Sequence, residues 1–154
     1  MGPTNNIGYL LQHLSGVLAK QSDQALQERL GIGFSQFKIL RVLQHSPRTQ
    51  QRQIAQWLGQ TEASISRQIK LMIQKGLLVT AVSPKNRREH ITTPTTKGIR
   101  MTEESINVLN STHSTMFSDM GDKQQKQLLE ILTHMHHTAC QPGKIGACHH
   151  PYNV

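Results

Sequence analysis

The side chains best suited to binding a ligand lie on one face of segment 62–75. With Ile65 at the centre of a buried face and 100° per residue, Ile69 and Met72 fall on that same side. The opposite face and its flanks carry small, polar and basic residues, namely Ala63, Ser64, Ser66, Arg67, Lys70 and Gln74. Small residues allow close approach to DNA, arginine can pair bidentately with guanine, and serine or glutamine can reach phosphates and base edges. The segment therefore predicts a major-groove reading surface, with an ordinary amphipathic surface helix as the alternative.

A second basic cluster lies at a predicted turn over 83–88. The turn contains Pro84 and carries three cations, Lys85, Arg87 and Arg88. Arginine side chains that project from such a tip can enter a minor groove, where the negative potential attracts them. A basic hairpin is weak evidence by itself, but directly after a pair of helices it predicts the wing of a winged helix-turn-helix.

Histidine and cysteine crowd the C-terminal end of the chain. His136 and Cys140 are four residues apart and would share one helix face, and Cys148 and His149 follow. Such ligands suit zinc, nickel or copper. The spacing matches no standard site, however, and flexible histidine-rich tails bind metals weakly. We keep these four residues as metal candidates but expect neither a physiological metal site nor a cofactor.

The sequence lacks the motifs of catalysis. It has no phosphate-binding glycine loop and no nucleophile motif, and Ser64 and Ser66 have no histidine near them in sequence. Only nine carboxylates are present, and the adjacent pair Glu103-Glu104 falls on a predicted helix surface. We therefore expect a protein that is not an enzyme.

Charge is distributed unevenly along the chain. Of the 17 Lys and Arg residues, twelve lie in 34–100 beside two acids, Glu62 and Glu89, an excess of ten positive charges. The remaining residues hold five basic and seven acidic side chains, an excess of two negative charges. A basic segment of this density suggests a polyanionic partner, although a solvated basic face would give the same count.

Apolar periodicity predicts the helices that position the two clusters. The expected helices are 7–30, a second that Ser35 caps and Ser46-Pro47 ends, a third over about 50–58, and a fourth over 62–75. Gly59 stops the third helix and leaves a tight turn before the fourth. Two helices joined by a short glycine-containing turn are typical of the helix-turn-helix.

The rest of the chain predicts a hairpin and two more helices. Leu77 to Val82 and His90 to Thr93 are β-prone and flank the basic turn, and Pro94 ends the second strand. A long helix over 95–119 follows, with Ile99, Ile106, Leu109, Met116 and Met120 inward. A last helix begins at Gly121-Asp122, with Leu128, Ile131, Leu132 and Met135 inward.

A mainly α, winged helix-turn-helix fold is therefore expected, in four parts. They are an N-terminal helix in 1–33, the DNA-binding region 34–94, C-terminal helices in 95–140, and an irregular His- and Cys-containing tail over 141–154. A chain of 154 residues is long enough to bury its own core as one domain.

Several short motifs, in this order and spacing, resemble the MarR (multiple-antibiotic-resistance regulator) family over residues 7 to about 138. The motifs are Gln53-Ile54-Ala55 with Leu58, Thr61-Glu62-Ala63-Ser64-Ile65-Ser66-Arg67, Lys75-Gly76-Leu77-Leu78, Ser83-Pro84-Lys85-Asn86-Arg87-Arg88 and Thr95-Thr96-Lys97-Gly98. In the family the last two regions read Asp-Pro-x-Asp-x-Arg in the wing and Leu-Thr-x-x-Gly at the start of the long dimerisation helix.

The sequence departs from the family pattern at four positions. Ser83 and Asn86 stand where the family usually has Asp, and the second of these Asp residues usually pairs with the arginine matched by Arg88. Asn86 can hydrogen-bond that arginine but offers no charge, so that we expect a looser wing. Thr80 stands where the family often has Arg, which removes one phosphate contact, and Pro94 replaces the usual Leu.

The resemblance implies a homodimer built from the first helix and the last two. These helices hold about half of the Leu, Ile and Met residues, yet they bracket the predicted DNA-binding part from opposite ends of the chain. The expected interface residues are Leu10, Leu11, Leu14, Leu128, Leu132 and Met135. A two-fold axis would present two recognition helices to half-sites about 34–36 Å apart on pseudo-palindromic double-stranded DNA.

The resemblance also implies an effector. Family members commonly bind small aromatic acids between the dimer helices and the DNA-binding lobe, whereas others sense oxidants through a cysteine in the first helix, which here has none. We therefore expect a sequence-specific regulator, a repressor released by a small-molecule or stress signal. The alternatives are an architectural winged-helix protein without an effector, and a metal-responsive regulator that uses the C-terminal tail. No leader and no apolar run of about 18 residues is visible, which predicts the cytoplasm and no membrane partner.

Overall fold

The computed structural model describes residues 6–141, which form six helices and three short strands. In chain order they are α1 (Ile7–Leu30), α2 (Phe34–His45), β1 (Thr49–Gln50), α3 (Gln51–Leu58), α4 (Glu62–Gln74), β2 (Leu78–Val82), β3 (His90–Pro94), α5 (Thr96–Ser118) and α6 (Asp122–Ala139). The predicted fold class, mainly α with a helix-turn-helix and a small β-wing, is confirmed. Within the described residues, no helix has both the length and the hydropathy of a membrane span.

The junction between α1 and α2 depends on a contact that local sequence does not reveal. Gly31 ends α1 in the left-handed conformation at φ 67°, which favours glycine because other residues pay a steric cost there. The N-cap of α2 is Gly33, and Asp23 Oδ1 from α1 accepts the backbone N–H of Phe34 at 2.8 Å. The predicted Ser35 cap was therefore wrong: the N-cap lies two residues earlier, at Gly33, and a carboxylate from α1 accepts a backbone N–H of the first turn.

The sheet has one strand more than the predicted hairpin. Its order is β1-β3-β2, and both pairings are antiparallel. Thr92 in the central strand lies opposite Thr80 of β2 on one side and Thr49 of β1 on the other. Sequence pattern missed β1 because a strand of two residues is too short to show an alternating period.

The hydrophobic core lies in the middle of the chain, where α2, α3, α4 and the base of the sheet meet. Its fully buried side chains include Leu40, Leu43, Ile54, Ile65, Ile69, Met72 and Leu77, with Leu26 from α1 and Val108 from α5 completing it. Ile106 and Leu109 pack against this core as predicted. Ile99 and Met116, predicted to be inward, are exposed, because the core extends along one side of α5 only.

The ends of the molecule are apolar but uncovered. No residue of α6 is buried; Leu129 is 64% exposed and Ile131 is 58% exposed. The first turns of α1 are similar, with Ile7, Leu10 and Leu14 all exposed. The core of one chain therefore leaves much of the apolar surface of α1 and α6 in contact with solvent.

Candidate nucleic-acid interface

Helix α4 is held in place at both ends and along one face. Thr61 is its N-cap, with Oγ1 accepting the backbone N–H of Ser64 at 3.2 Å. Ile65, Ile69 and Met72 are buried and anchor the helix against the core. After the last turn, Gly76 adopts φ 72° and the N–H of Leu77 bonds to the carbonyl of Met72 at 2.9 Å, a glycine-based helix ending. The helix therefore presents a fixed outer face.

The outer face of α4 has the predicted composition. Ala63, Arg67, Lys70 and Gln74 are exposed, whereas the flanking Ser64 and Ser66 are half-buried. The acid of the first turn, Glu62, lies beside Arg52 of α3, with Nε and Oε1 3.8 Å apart and both side chains largely exposed. Such an exposed ion pair contributes little stability. The central part of the face keeps two cations and carries no acid.

The turn between α3 and α4 completes the helix-turn-helix. Gly59 ends α3 at φ 62°, and the N–H of Gln60 bonds to the carbonyl of Ala55 at 3.0 Å. Ile54 and Ala55 are buried, while Trp57 and Leu58 pack against the edge of the core. These contacts fix α3 as the support on which α4 rests.

The wing projects as a strand pair with a short basic loop. The N–H of Ser83 bonds to the carbonyl of Glu89 at 2.8 Å and closes the loop, and the N–H of Glu89 bonds back to the carbonyl of Asn86 at 2.9 Å. The three predicted wing cations, Lys85, Arg87 and Arg88, are all exposed. The loop is therefore ordered by its own backbone and leaves the cations available to a partner.

The two wing residues that depart from the family pattern, Ser83 and Asn86, each accept a backbone hydrogen bond within the loop. Asn86 Oδ1 accepts the backbone N–H of Arg88 at 3.1 Å, and Ser83 Oγ accepts the N–H of Lys85 at 3.3 Å. Asn86 thus supports the backbone that carries the arginine rather than its guanidinium group. In addition, Gln50 Nε2 donates to Glu89 Oε2 at 2.6 Å and connects β1 to the base of the wing.

A polar cleft of about 280 Å³ lies between the wing and the first turns of α3 and α4. Residues of all three elements line it: Gln50, Gln51, Arg52, Glu62, Arg88, Glu89 and His90. The cleft brings the wing arginine Arg88 and the helix arginine Arg52 to one side of the molecule. Arg52 and Arg88 are therefore exposed cations on the wing side of the helix-turn-helix.

Two exposed arginines near this surface were not among the predicted contacts. Arg52 lies in the first turn of α3, and Arg48 precedes β1 in the left-handed conformation at φ 66°. In the sequence, the only sign that these two arginines could contact a partner was that both belong to the basic residues of 34–100. Their location on the surface depends on how the helix-turn-helix folds.

The predicted interface residues of the terminal helices lie outside the core. Leu10, Leu14, Leu132 and Met135 are exposed, and Leu11 and Leu128 are half-buried. Two aromatic residues of these helices are also exposed: Tyr9 of α1, whose ring stacks on that of His13, and Phe117 of α5.

Two of the four metal candidates, His136 and Cys140, lie in the part of the chain that the structure describes. His136 is half-buried on α6, and Cys140 is the C-cap, its N–H bonding to the carbonyl of His136 at 2.8 Å. Within residues 6–141, no group of three or more His, Cys, Asp or Glu could hold a metal ion. Cys148 and His149, like the predicted tail after Gln141, lie outside the described residues.

A second, more open groove of about 390 Å³ lies where α1 meets α2. It is lined by Ala19, Lys20, Asp23, Gln24, Phe34 and Ser35. Phe34 supplies an aromatic face, with the ammonium of Lys38 5.4 Å from its ring centroid. The groove therefore combines apolar surface with one cation, Lys20, and with the Asp23 carboxylate that joins the two helices.

The middle of the chain matches a known family. Residues 30–89, from the end of α1 through the wing loop, match the model of the MarR family. The resemblance predicted from the motifs is confirmed over this segment. No curated protein matches the sequence significantly.

Several solved structures share the fold over most of the chain. Wild-type MarR in its apo form from E. coli has a TM-score of 0.76 at 17% identity, covering 84% of this chain and 96% of that one. The S. aureus MepR–DNA complex has a TM-score of 0.69 at 24% identity, with coverages of 86% and 98%. CouR from Rhodococcus jostii RHA1, bound to p-coumaroyl-CoA, has a TM-score of 0.71 at 20% identity, with coverages of 88% and 94%.

Proposed function

We propose that this chain, which shares its helix-turn-helix and wing with the MarR family, is a sequence-specific transcriptional regulator that binds double-stranded DNA as a homodimer. In this proposal α4 enters the major groove, the wing loop enters the adjacent minor groove, and a small molecule or stress signal releases a repressor from its operator. Ala63, Ser64, Ser66, Arg67, Lys70 and Gln74 are the proposed major-groove contacts, and Lys85, Arg87 and Arg88 are those of the wing.

The observation that carries the proposal is the outer face of α4. The face is exposed, basic and free of acids at its centre, while the opposite face is buried and both helix ends are capped. A helix whose orientation is fixed in this way can present Arg67 to base edges at little entropic cost. An ordinary surface helix needs neither the short side chains at positions 63, 64 and 66 nor a basic loop beside it.

The uncovered apolar surface of α1 and α6 supports the homodimer. A second copy related by a two-fold axis would cover these faces with the same faces of its partner. Burying apolar surface stabilises association by about 25 cal/mol per Å² removed from water. The proposed interface residues are Leu10, Leu11, Leu14, Leu128, Leu132 and Met135.

The groove between α1 and α2 supports a small-molecule effector. The groove is shallow and open to solvent, with a volume of about 390 Å³, so that it would hold a small ligand along one face. The Phe34 ring and the ammonium group of Lys20 suit a small aromatic acid. Because the groove joins a terminal helix to the first helix of the DNA-reading part, a ligand there could favour one arrangement of the two.

Selection of duplexes from a random pool, followed by titration of the recovered sequence at several salt concentrations, tests the proposal. The expected product is a pseudo-palindrome of about 16–20 base pairs, with two half-sites about one helical turn apart. Its affinity should exceed that for random duplex at least about 10³-fold at moderate salt.

Binding that depends on salt but not on sequence would overturn the specific regulator and favour the architectural alternative. A monomer in light scattering at micromolar concentration would overturn the homodimer. The effector is tested separately, with simple aromatic carboxylates as probes in the operator titration.

A further inference from the structure

The C-terminal end of α4 is fastened by two lysines in series. Lys75, the C-cap of α4, donates from Nζ to the carbonyl of Gly31 at the end of α1, over 2.6 Å. Lys97, in the first turn of α5, donates from Nζ to the carbonyl of Lys75 over 2.7 Å. Each ammonium group therefore caps the C-terminal end of another helix, where the helix dipole favours a positive charge.

A buried glutamine extends this connection to the middle of α4. Gln36 on α2 is almost fully buried; its Nε2 donates to Gln68 Oε1 over 3.1 Å, and its Oε1 accepts from Lys75 Nζ over 3.4 Å. The amide has a partner at each end, as a buried polar group requires. The ammonium of Lys75 thus joins three helices: its own α4, α1 through Gly31, and α2 through Gln36.

We propose that Lys75, Gln36 and Lys97 form a polar latch that sets the angle of the recognition helix α4 relative to α1 and α5. They are positioning residues: they act on DNA reading through α4 and not by contacting DNA. The inference rests on the proposed function, since it assumes that α4 reads DNA and that α1 and α5 belong to the dimerisation part.

The geometry of α4 explains why this position matters. The helix has 13 residues, so that its axis is about 20 Å long at 1.5 Å per residue. A tilt of about 5° at the latched end moves the other end, where Ala63 and Ser64 lie, by roughly 1.7 Å. That displacement is about half the rise of one base pair along a DNA strand. If the latch were loose, the distance between the two recognition helices of a dimer would therefore vary more widely.

The latch differs from a DNA contact in what it controls. Lys70 lies on the outer face of α4, so that its loss should weaken binding to every duplex alike and lower the salt dependence. Lys75 carries the same charge on the same helix, but its ammonium group bonds to Gly31 and Gln36. Loss of Lys75 should instead change how steeply the affinity falls when the spacing of the half-sites departs from its optimum.

The test is a set of operators whose central spacer is lengthened or shortened by one base pair, titrated with wild type, Lys75→Met, Lys75→Arg and Lys70→Met. Wild type should show a narrow spacing optimum. Lys75→Met should bind the optimal operator roughly 2- to 30-fold more weakly, the range typical of residues that couple sites without touching a ligand. It should also lose less affinity than wild type when the spacer changes, while its base preferences within each half-site remain.

The two comparison variants separate positioning from charge. Lys75→Arg keeps a cationic donor for the Gly31 carbonyl and should retain the narrow optimum. Lys70→Met should lower affinity at all spacings equally. If Lys75→Met behaves like Lys70→Met, or shows the same spacing profile as wild type, the latch is wrong.

A second variant keeps the inference testable if Lys75→Met does not fold, which thermal unfolding would reveal. Lys97→Met releases the same end of α4 from α5 and should broaden the spacing optimum in the same direction; an unchanged optimum overturns the latch. A wild type that selects no duplex would instead refute the proposed function, and the latch with it. The two failures are therefore distinguishable in one set of titrations.

Discussion

Replacing Gly98 with alanine tests how α5 is joined to the segment between α4 and β2. Gly98 lies in the first turn of α5, and a Cβ there would be 2.1 Å from the carbonyl oxygen of Leu77 and 3.5 Å from Pro94 Cβ. Real Cβ atoms essentially never approach closer than 3.0 Å, so that backbone must move by about 0.9 Å (3.0 − 2.1). The clash is with backbone, which cannot rotate aside like the end of a side chain.

The displaced carbonyl is also a hydrogen-bond acceptor. Leu77 O accepts the backbone N–H of Thr95 at 3.0 Å and its hydroxyl at 3.2 Å, and Thr95 is the N-cap of α5, its Oγ1 accepting the N–H of Gly98 at 3.0 Å. Overpacking costs about 1–3 kcal/mol, and a damaged cap costs about 1 kcal/mol. Alanine recovers about 1 kcal/mol of helix propensity. We expect Gly98→Ala to lower the free energy of unfolding by roughly 1–3 kcal/mol.

Urea unfolding at one fixed protein concentration measures this effect, because the stability of a dimer depends on concentration. Gly16→Ala is the matched control: Gly16 lies inside α1, and a Cβ there meets nothing within 4 Å. The control should raise stability by up to about 1 kcal/mol. A Gly98→Ala protein as stable as wild type would show that the close approach of α5 to Leu77 is not required.

Three further predictions concern the core, the proposed DNA contacts and the proposed homodimer. Thr92→Val should raise the free energy of unfolding by about 1 kcal/mol, because the Thr92 hydroxyl is buried without a hydrogen-bond partner among the described residues and such a group costs about 1–3 kcal/mol. Thr80→Val, at the exposed position opposite it, should change stability by less than about 0.5 kcal/mol; equal effects of the two would contradict this reasoning. Arg67→Ala should relax base preference at one position per half-site at a cost of about 1–3 kcal/mol, whereas Arg88→Ala should weaken binding to most sequences and reduce the salt slope by about one. Operator titrations with single-base variants distinguish the two, and the assignment fails if Arg67→Ala leaves base preference intact. Leu132→Glu should convert the dimer to monomer in light scattering, since an unpaired charge would be buried between the chains; a dimer that persists would exclude α6 from the interface.

The elements with a clear period were predictable from the sequence. The spacing of Ile65, Ile69 and Met72 defined both the buried face of α4 and, by subtraction, its outer face. The turn chemistry around Pro84 located the wing, and Gly59 and Gly76 marked two helix ends that the structure confirms. These signals are local: each needs only a few neighbouring residues and the geometry of one helix or turn.

The features that the sequence did not reveal depend on contacts between distant segments. Asp23 caps α2 from 11 residues away, and Gln36 bonds Gln68 across 32 positions. β1 forms because Thr49 and Gln50 lie beside β3 in the folded chain. Whether Ile99 is exposed depends on how far the core extends along α5. No periodicity records such partners, since each side chain alone has several plausible neighbours.

The lysine contacts also change how the positive charge of segment 34–100 is interpreted. Lys75 and Lys97 belong to the twelve basic residues of 34–100, yet their ammonium groups bond to helix-end carbonyls. A charge count treats them as attraction for a polyanion, whereas in the proposed latch they orient the helix that carries Arg67. The two roles are complementary, because phosphate attraction gives affinity without register and only a fixed recognition helix converts it into base preference. Part of the positive charge of a DNA-reading segment can thus serve specificity without contacting DNA.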